Sequence, residues 1–145
     1  MVPSTVEKEV RIEAPVEVVW QLVTEPQQIR RWLADEVDVD VRVGGRGEFF
    51  YNPDHPYEIR VEAMEPPRRF AFRWVHRSGL QLRDDNSLLV EFTLEPEGGA
   101  TRLRVVETGF DGIDWSDEER ARSIESHIEG WEERLGYLRS AAQGE

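Results

Sequence analysis

Apolar residues recur at every second position over residues 6–13, where Val6, Val10 and Ile12 share one parity with Lys8, and Glu7, Glu9, Arg11 and Glu13 take the other. Side chains alternate between faces along a strand, so this segment reads as a strand with one buried face. The period then lengthens: Val16, Val19, Trp20 and Val23 follow at helical spacing after Pro15, whose fixed φ suits a first helical position. Pro26 interrupts that helix and starts a second short one with Ile29, Trp32 and Leu33 on its apolar side, giving two short helices over 15–34. Alternation returns over 36–43 (Val37, Val39, Val41, Val43), 47–52, 57–63 (Tyr57, Ile59, Val61, Ala63), 70–76 (Phe70, Phe72, Trp74, His76), 88–94 (Leu88, Val90, Phe92, Leu94) and 101–107 (Thr101, Leu103, Val105, Glu107). Gly44-Gly45, Pro53–Pro56, Glu65-Pro66-Pro67, the polar stretch 78–86 and Gly98-Gly99 punctuate these strands as turns and loops.

The last 30 or so residues form one helix of about 25 residues, roughly 38 Å long at 1.5 Å per residue. Ser116 and Glu119 fit a capping box, and Trp115 before them fits a hydrophobic staple. Ile124, Ile128, Trp131, Leu135 and Leu138 make a single apolar stripe. Gly130 and Gly136 break helix propensity, which suggests close packing or a bend. The order strand, two helices, six strands, long helix predicts an α+β domain over residues 5–141. Strands joined as successive hairpins form an antiparallel sheet, and a seven-stranded sheet twists into a curve. The long helix is its only large apolar cover. A curved sheet and a straight helix do not touch everywhere, so the space between them is either filled by large side chains or left as a cavity.

Composition narrows the function classes. Thirty acidic against 18 basic side chains give a net charge of −12, which disfavours a nucleic-acid backbone or an anionic membrane as partner. With no Cys there is no disulfide, thiolate nucleophile or Cys-ligated metal. The longest apolar runs are three residues, such as Leu88-Leu89-Val90, so neither a membrane span nor a signal peptide is expected, and the cytoplasm is the default location. No zinc-protease, nucleophile-elbow, P-loop or dinucleotide motif occurs. Gly44-Gly45-Arg46-Gly47 lies between strands and reads as a turn. Asp35, Glu36, Asp38 and Asp40 read as a solvated strand face rather than a calcium site. No cofactor and no metal are expected.

Three stretches carry a family resemblance: Ile12-Glu13-Ala14-Pro15 through Val19-Trp20 to Pro26 and Trp32; Val43-Gly44-Gly45-Arg46-Gly47-Glu48-Phe49 with Val61 to Phe70 and Phe72-Arg73-Trp74; and Gly98 to Leu103, Thr108-Gly109-Phe110 and Gly130-Trp131 with Leu135 and Leu138. In order and spacing over about residues 5–140 the chain resembles the START-like (SRPBCC) helix-grip superfamily, and within it the subfamily similar to the activator of heat-shock-protein-90 ATPase. The resemblance implies a hydrophobic-ligand cavity under the long helix and, frequently, a homodimer. The co-chaperone role is not carried over on fold alone.

Inward parity nominates the cavity lining: Trp32 from the second helix, Phe49 and Tyr51 (or alternatively Phe50, since parity on that strand is ambiguous), Ile59, Phe72, Trp74 and His76, Val90 and Phe92, Val105 and Glu107 from successive strands, and His127 and Trp131 from the long helix. Trp20 and Trp32 read first as core fillers. His76, Glu107 and His127 are the polar members, and a carboxylate beside imidazoles in an apolar pocket can orient a ligand or exchange protons with it. The leading reading is binding of an apolar or amphipathic small molecule. The alternatives are a protein-interaction module (homodimer or client- or chaperone-binding domain) and a cyclase- or hydrolase-type enzyme using His76, Glu107 and His127.

Overall fold

A computed structural model describes residues 4–144. The elements run β1 (Val6–Ile12), α1 (Val16–Thr24), α2 (Pro26–Ile29), β2 (Glu36–Val39), β3 (Arg46–Phe50), β4 (Pro56–Glu65), β5 (Arg69–Val75), β6 (Ser87–Glu97), β7 (Ala100–Thr108) and α3 (Asp117–Gln143). The seven strands form one antiparallel sheet in the order β1-β7-β6-β5-β4-β3-β2. The α+β architecture read from the sequence is therefore the one the chain adopts, a curved sheet holding its terminal helix with two short helices after the first strand.

Register explains how the two faces divide the labour. Val6, Glu107, Val90, Phe72 and Val61 lie in one row across five strands. This row faces the helices, and Glu107 is the one charged member of it. The opposite face is a lattice of ion pairs. Arg104 meets Glu7 at 2.7 Å, Arg102 meets Glu97 at 2.8 Å and also pairs with Glu9, and Arg69 meets Glu91 at 2.5 Å and Glu65 at 2.7 Å. Alternating columns of acid and base keep the outer face polar, although each exposed pair contributes at most about 1 kcal/mol.

α3 presents Ile124, Trp131, Leu135 and Leu138 to the sheet, with Ile128 half-buried at the edge of the stripe. The space between helix and sheet is packed with rings. Trp32 meets Phe92 edge-on at 5.8 Å, Phe72 meets Trp74 at 5.4 Å, and Phe92 meets Trp131 at 5.8 Å. The second helix stops at Ile29, short of the expected Trp32 and Leu33, and Trp32 in the turn beyond it gives its indole N–H to the Leu22 carbonyl at 2.6 Å, which ties that turn to the end of α1.

Four local expectations are corrected. The strand expected over 36–43 ends at Val39. Beyond it the chain turns at Asp40, and Gly44 and Gly45 exchange backbone hydrogen bonds with Val61 at 2.8 Å each, so this segment joins β4 instead of extending β2. Val43 is left 60% exposed. The approach is close: a Cβ on Gly45 would lie 1.8 Å from the Asp40 carbonyl oxygen, and one on Gly47 would lie 2.0 Å from that of Asp38. The capping box is half formed, because Ser116 accepts from the Glu119 N–H at 3.0 Å while the Glu119 carboxylate turns to the Ser116 hydroxyl. Trp115 is not a staple, because its partner position is Arg120; it stacks on Phe110 and donates to the Phe110 carbonyl at 3.0 Å instead. Gly130 and Gly136 mark no close packing, since a Cβ on either meets nothing within 4 Å.

Candidate functional site: a buried carboxylate beneath an aromatic pocket

Glu107 is 0% exposed, on the inner face of β7. Burial of a carboxylate is costly unless its oxygens are hydrogen-bonded. Here three N–H donors converge on it. Trp74 Nε1 donates to Oε2 at 2.8 Å, Trp131 Nε1 donates to Oε1 at 2.9 Å, and His127 Nδ1 bonds Oε1 at 2.6 Å. Each donor comes from the expected parity: Trp74 from the inward face of β5, and His127 and Trp131 from one side of α3, four residues apart. The two indoles stack at 6.0 Å with 30° between planes. A buried indole needs an acceptor, and the same carboxylate serves both.

His127 is 22% exposed at its side chain. Burial alone would pull its pKa down, but the hydrogen bond and charge of Glu107 outweigh burial and raise it above 6.5. The sign of the pH effect follows. An unfolded histidine titrates near ~6.5, so the stabilisation from protonated His127 is fully present below that pH and fades as pH rises through the higher folded value. Urea unfolding of the wild type and His127→Gln between pH 6 and pH 9 checks this. The stability gap between the two is expected to be widest at the acid end and to narrow upward, whereas a gap independent of pH contradicts it.

Above this cluster a cavity of about 240 Å³ opens between the middle of α3 and the β3–β5 end of the sheet. Tyr51, Tyr57, Trp74 and Trp131 supply aromatic walls, Leu33 and Val75 supply aliphatic surface, and His76, Ser126, His127 and Arg134 supply polar groups. Burial pushes the Tyr51 phenol far above its usual 10.0, with Arg134 partly opposing, so its hydroxyl remains a proton donor. Arg134 sits over the Tyr51 ring at 5.3 Å. His76 lies just past the end of β5. Its backbone N–H and ring Nδ1 both meet the Asn86 carbonyl, at 3.0 and 2.8 Å, so Nδ1 is a donor in that bond.

The nominated residues thus divide. Tyr51, Trp74, His76, His127 and Trp131 line the pocket. Glu107 lies directly behind three of them. Trp32, Phe49, Ile59, Phe72, Val90, Phe92 and Val105 are buried in the core around and below it. Of the polar trio, Glu107 and His127 are in contact, while His76 is held by Asn86 on the same pocket's wall. Sequence reasoning missed Leu33, Tyr57, Ser126 and Arg134 as lining and missed the indole donors. The signal for the donors was available, since Trp74 and Glu107 share the inner face of the sheet and Trp131 lies on the helix stripe that faces it; Arg134 lies one turn of α3 beyond Trp131 and could have been found the same way. For an interaction surface, the exposed large hydrophobics among the described residues are Val18, Val43 and Tyr137, on three different segments. Among the described residues no helix is long and apolar enough to cross a membrane.

A curved antiparallel sheet wrapped on a terminal helix, with a pocket beside that helix, defines a helix-grip protein. The chain belongs to the Activator of Hsp90 ATPase homolog 1-like protein family, whose profile matches residues 13–143. Among solved structures it is similar to protein MLL2253 from Mesorhizobium loti, at 25% identity over 96% of each chain with a TM-score of 0.80. It is also similar to CalU16 from Micromonospora echinospora, at 27% identity over 94% of this chain and 72% of that one, TM-score 0.70. The Aha1 dimer from Colwellia psychrerythraea shares the fold at 18% identity over 95% of each chain, TM-score 0.71. No curated protein matches the chain.

Proposed function

We propose that the protein binds a small amphipathic molecule in the pocket between α3 and the sheet. The observation that carries this reading is the 240 Å³ space walled by Tyr51, Tyr57, Trp74 and Trp131, with polar groups at its edge. At ~30 Å³ per water this is the volume of about eight waters, so the guest is one or two rings in size. The rings provide apolar surface at about 25 cal/mol per Å² buried, and His127 Nε2, the Tyr51 hydroxyl and Arg134 provide orientation. Trp74 and Trp131 are preorganised for this: each is pinned by its bond to Glu107, so little side-chain freedom remains to be lost on binding.

Gly130 offers a test that separates binding from folding. It lines the pocket, and a Cβ there meets open space. Gly130→Leu places a side chain in the cavity while raising helix propensity by up to about 1 kcal/mol. Titrating one- and two-ring aromatic probes against tryptophan emission is expected to show saturable 1:1 binding in the wild type. The Gly130→Leu variant is expected to lose at least tenfold in affinity with undiminished thermal stability. Equal affinity in the two proteins would remove the pocket as the site.

A further inference from the structure

The lining of the pocket differs in charge from the chain as a whole. The chain carries 30 acidic residues and a net charge of −12. Yet none of the residues lining this pocket is Asp or Glu, while one is arginine and two are histidines. Arg134 is half-buried at the wall. On the outer face of the sheet Arg69, Arg102 and Arg104 are matched to carboxylates at 2.5–2.8 Å. Arg134 has no ion pair among the described residues. Its guanidinium lies over the rings of Tyr51 and Tyr137, at 5.3 and 5.8 Å, and reaches the Trp32 carbonyl only at 3.5 Å. Stacking holds the guanidinium plane in place and leaves N–H donors free, in the fork geometry that suits a carboxylate.

Glu107 brings a negative charge beside the pocket, but it is turned away from the guest. It lies behind the rings of Trp74, His127 and Trp131, and both of its oxygens are occupied by their N–H groups. His127 meets that carboxylate through Nδ1, so Nε2 is the nitrogen left for the cavity. Arg134 and His127 are seven residues apart on α3, two helical turns, and therefore lie on the same side of the helix.

We infer that the pocket selects an anion, an aromatic carboxylate whose ring lies between the tyrosine and tryptophan walls and whose carboxylate pairs with Arg134. This rests on the small-molecule reading above and names the chemical class of the guest. The negative exterior repels such a ligand at long range, so the selectivity is local to the pocket and does not arise from steering.

The test uses probes matched in shape and different in charge: 2-naphthoate with 2-naphthamide, and benzoate with benzamide, each titrated by calorimetry at fixed pH and ionic strength. Each carboxylate is expected to bind at least tenfold more tightly than its amide. Arg134→Gln is expected to bring the two within about threefold, and Arg134→Lys, which keeps the charge, to retain a preference for the carboxylate. Carboxylate and amide binding equally to the wild type, or a preference that survives Arg134→Gln, overturns this inference and leaves the pocket as a neutral-ligand site. No binding by any of the four overturns the small-molecule reading with it.

Discussion

Replacing Glu107 by Ala is expected to cost about 3–5 kcal/mol of folding stability, the range for removing one partner of a buried charged cluster. The carboxylate is the shared acceptor for two indole N–H groups and an imidazole N–H. Each buried donor left without an acceptor costs about 1–3 kcal/mol, and a domain has only about 5–15 kcal/mol in total. Glu107→Gln keeps one carbonyl oxygen but points an NH₂ group at donors, and is expected to lose about 1–3 kcal/mol. Glu107→Leu combined with Trp74→Phe, Trp131→Phe and His127→Phe removes donors and acceptor together and is expected to recover most of the loss from Glu107→Ala. Urea denaturation of the series measures each value. A Glu107→Ala change within about 0.5 kcal/mol of wild type, as for an ordinary surface site, would mean that the three bonds do not hold the helix to the sheet.

Trp131→Ala is expected to cost about 3–5 kcal/mol, the range for emptying a large aromatic site in a core. Trp131 is buried, stacks on Trp74 and packs edge-on against Phe92 as well as donating to Glu107. Trp131→Phe separates the two contributions. It keeps most of the ring contact and removes only the donor, so about 1–3 kcal/mol is expected. In a Glu107→Leu background that smaller cost should vanish, because the indole N–H no longer has an acceptor to lose; the double-mutant cycle reads the coupling directly. Equal costs for Phe in both backgrounds would show that the ring packs but its N–H contributes nothing.

The fold was legible because period alone separates the elements. Val6, Val10 and Ile12 alternate, Ile124 to Leu138 step by three and four, and glycine pairs and prolines mark the joins. What failed was confined to places where tertiary contacts override a local pattern. Val41 and Val43 continue the alternation of 36–43, but the Gly44 and Gly45 backbone is captured by Val61, and no property of the valines announces that. Trp115 had the right position for a staple and the wrong partner, Arg120. The glycines of α3 looked like packing devices and instead face open space, Gly130 at the pocket.

The site was legible in its parts rather than in its bonding. Parity placed Trp74, Glu107, His127 and Trp131 on facing surfaces, and the helix and sheet bring them together. How much of the interior would be filled was not legible. That depends on how Trp32, Phe72 and Phe92 interlock in three dimensions, and they leave free volume toward the edge near Tyr51 and Tyr57. Most of the nominated lining is consequently core, and the pocket is smaller and more polar than an apolar cavity running the length of the helix.

The aromatic pair anchored on Glu107 is the wall against which the proposed guest binds. The five tryptophans give five indole N–H resonances, and their proton–nitrogen spectrum during titration with 2-naphthoate tests it most directly. The Trp74 and Trp131 signals are predicted to shift together and saturate at one equivalent, while Trp20, which packs against Phe70 away from the pocket, stays fixed. Saturable binding that leaves both Trp74 and Trp131 unmoved would contradict the claim.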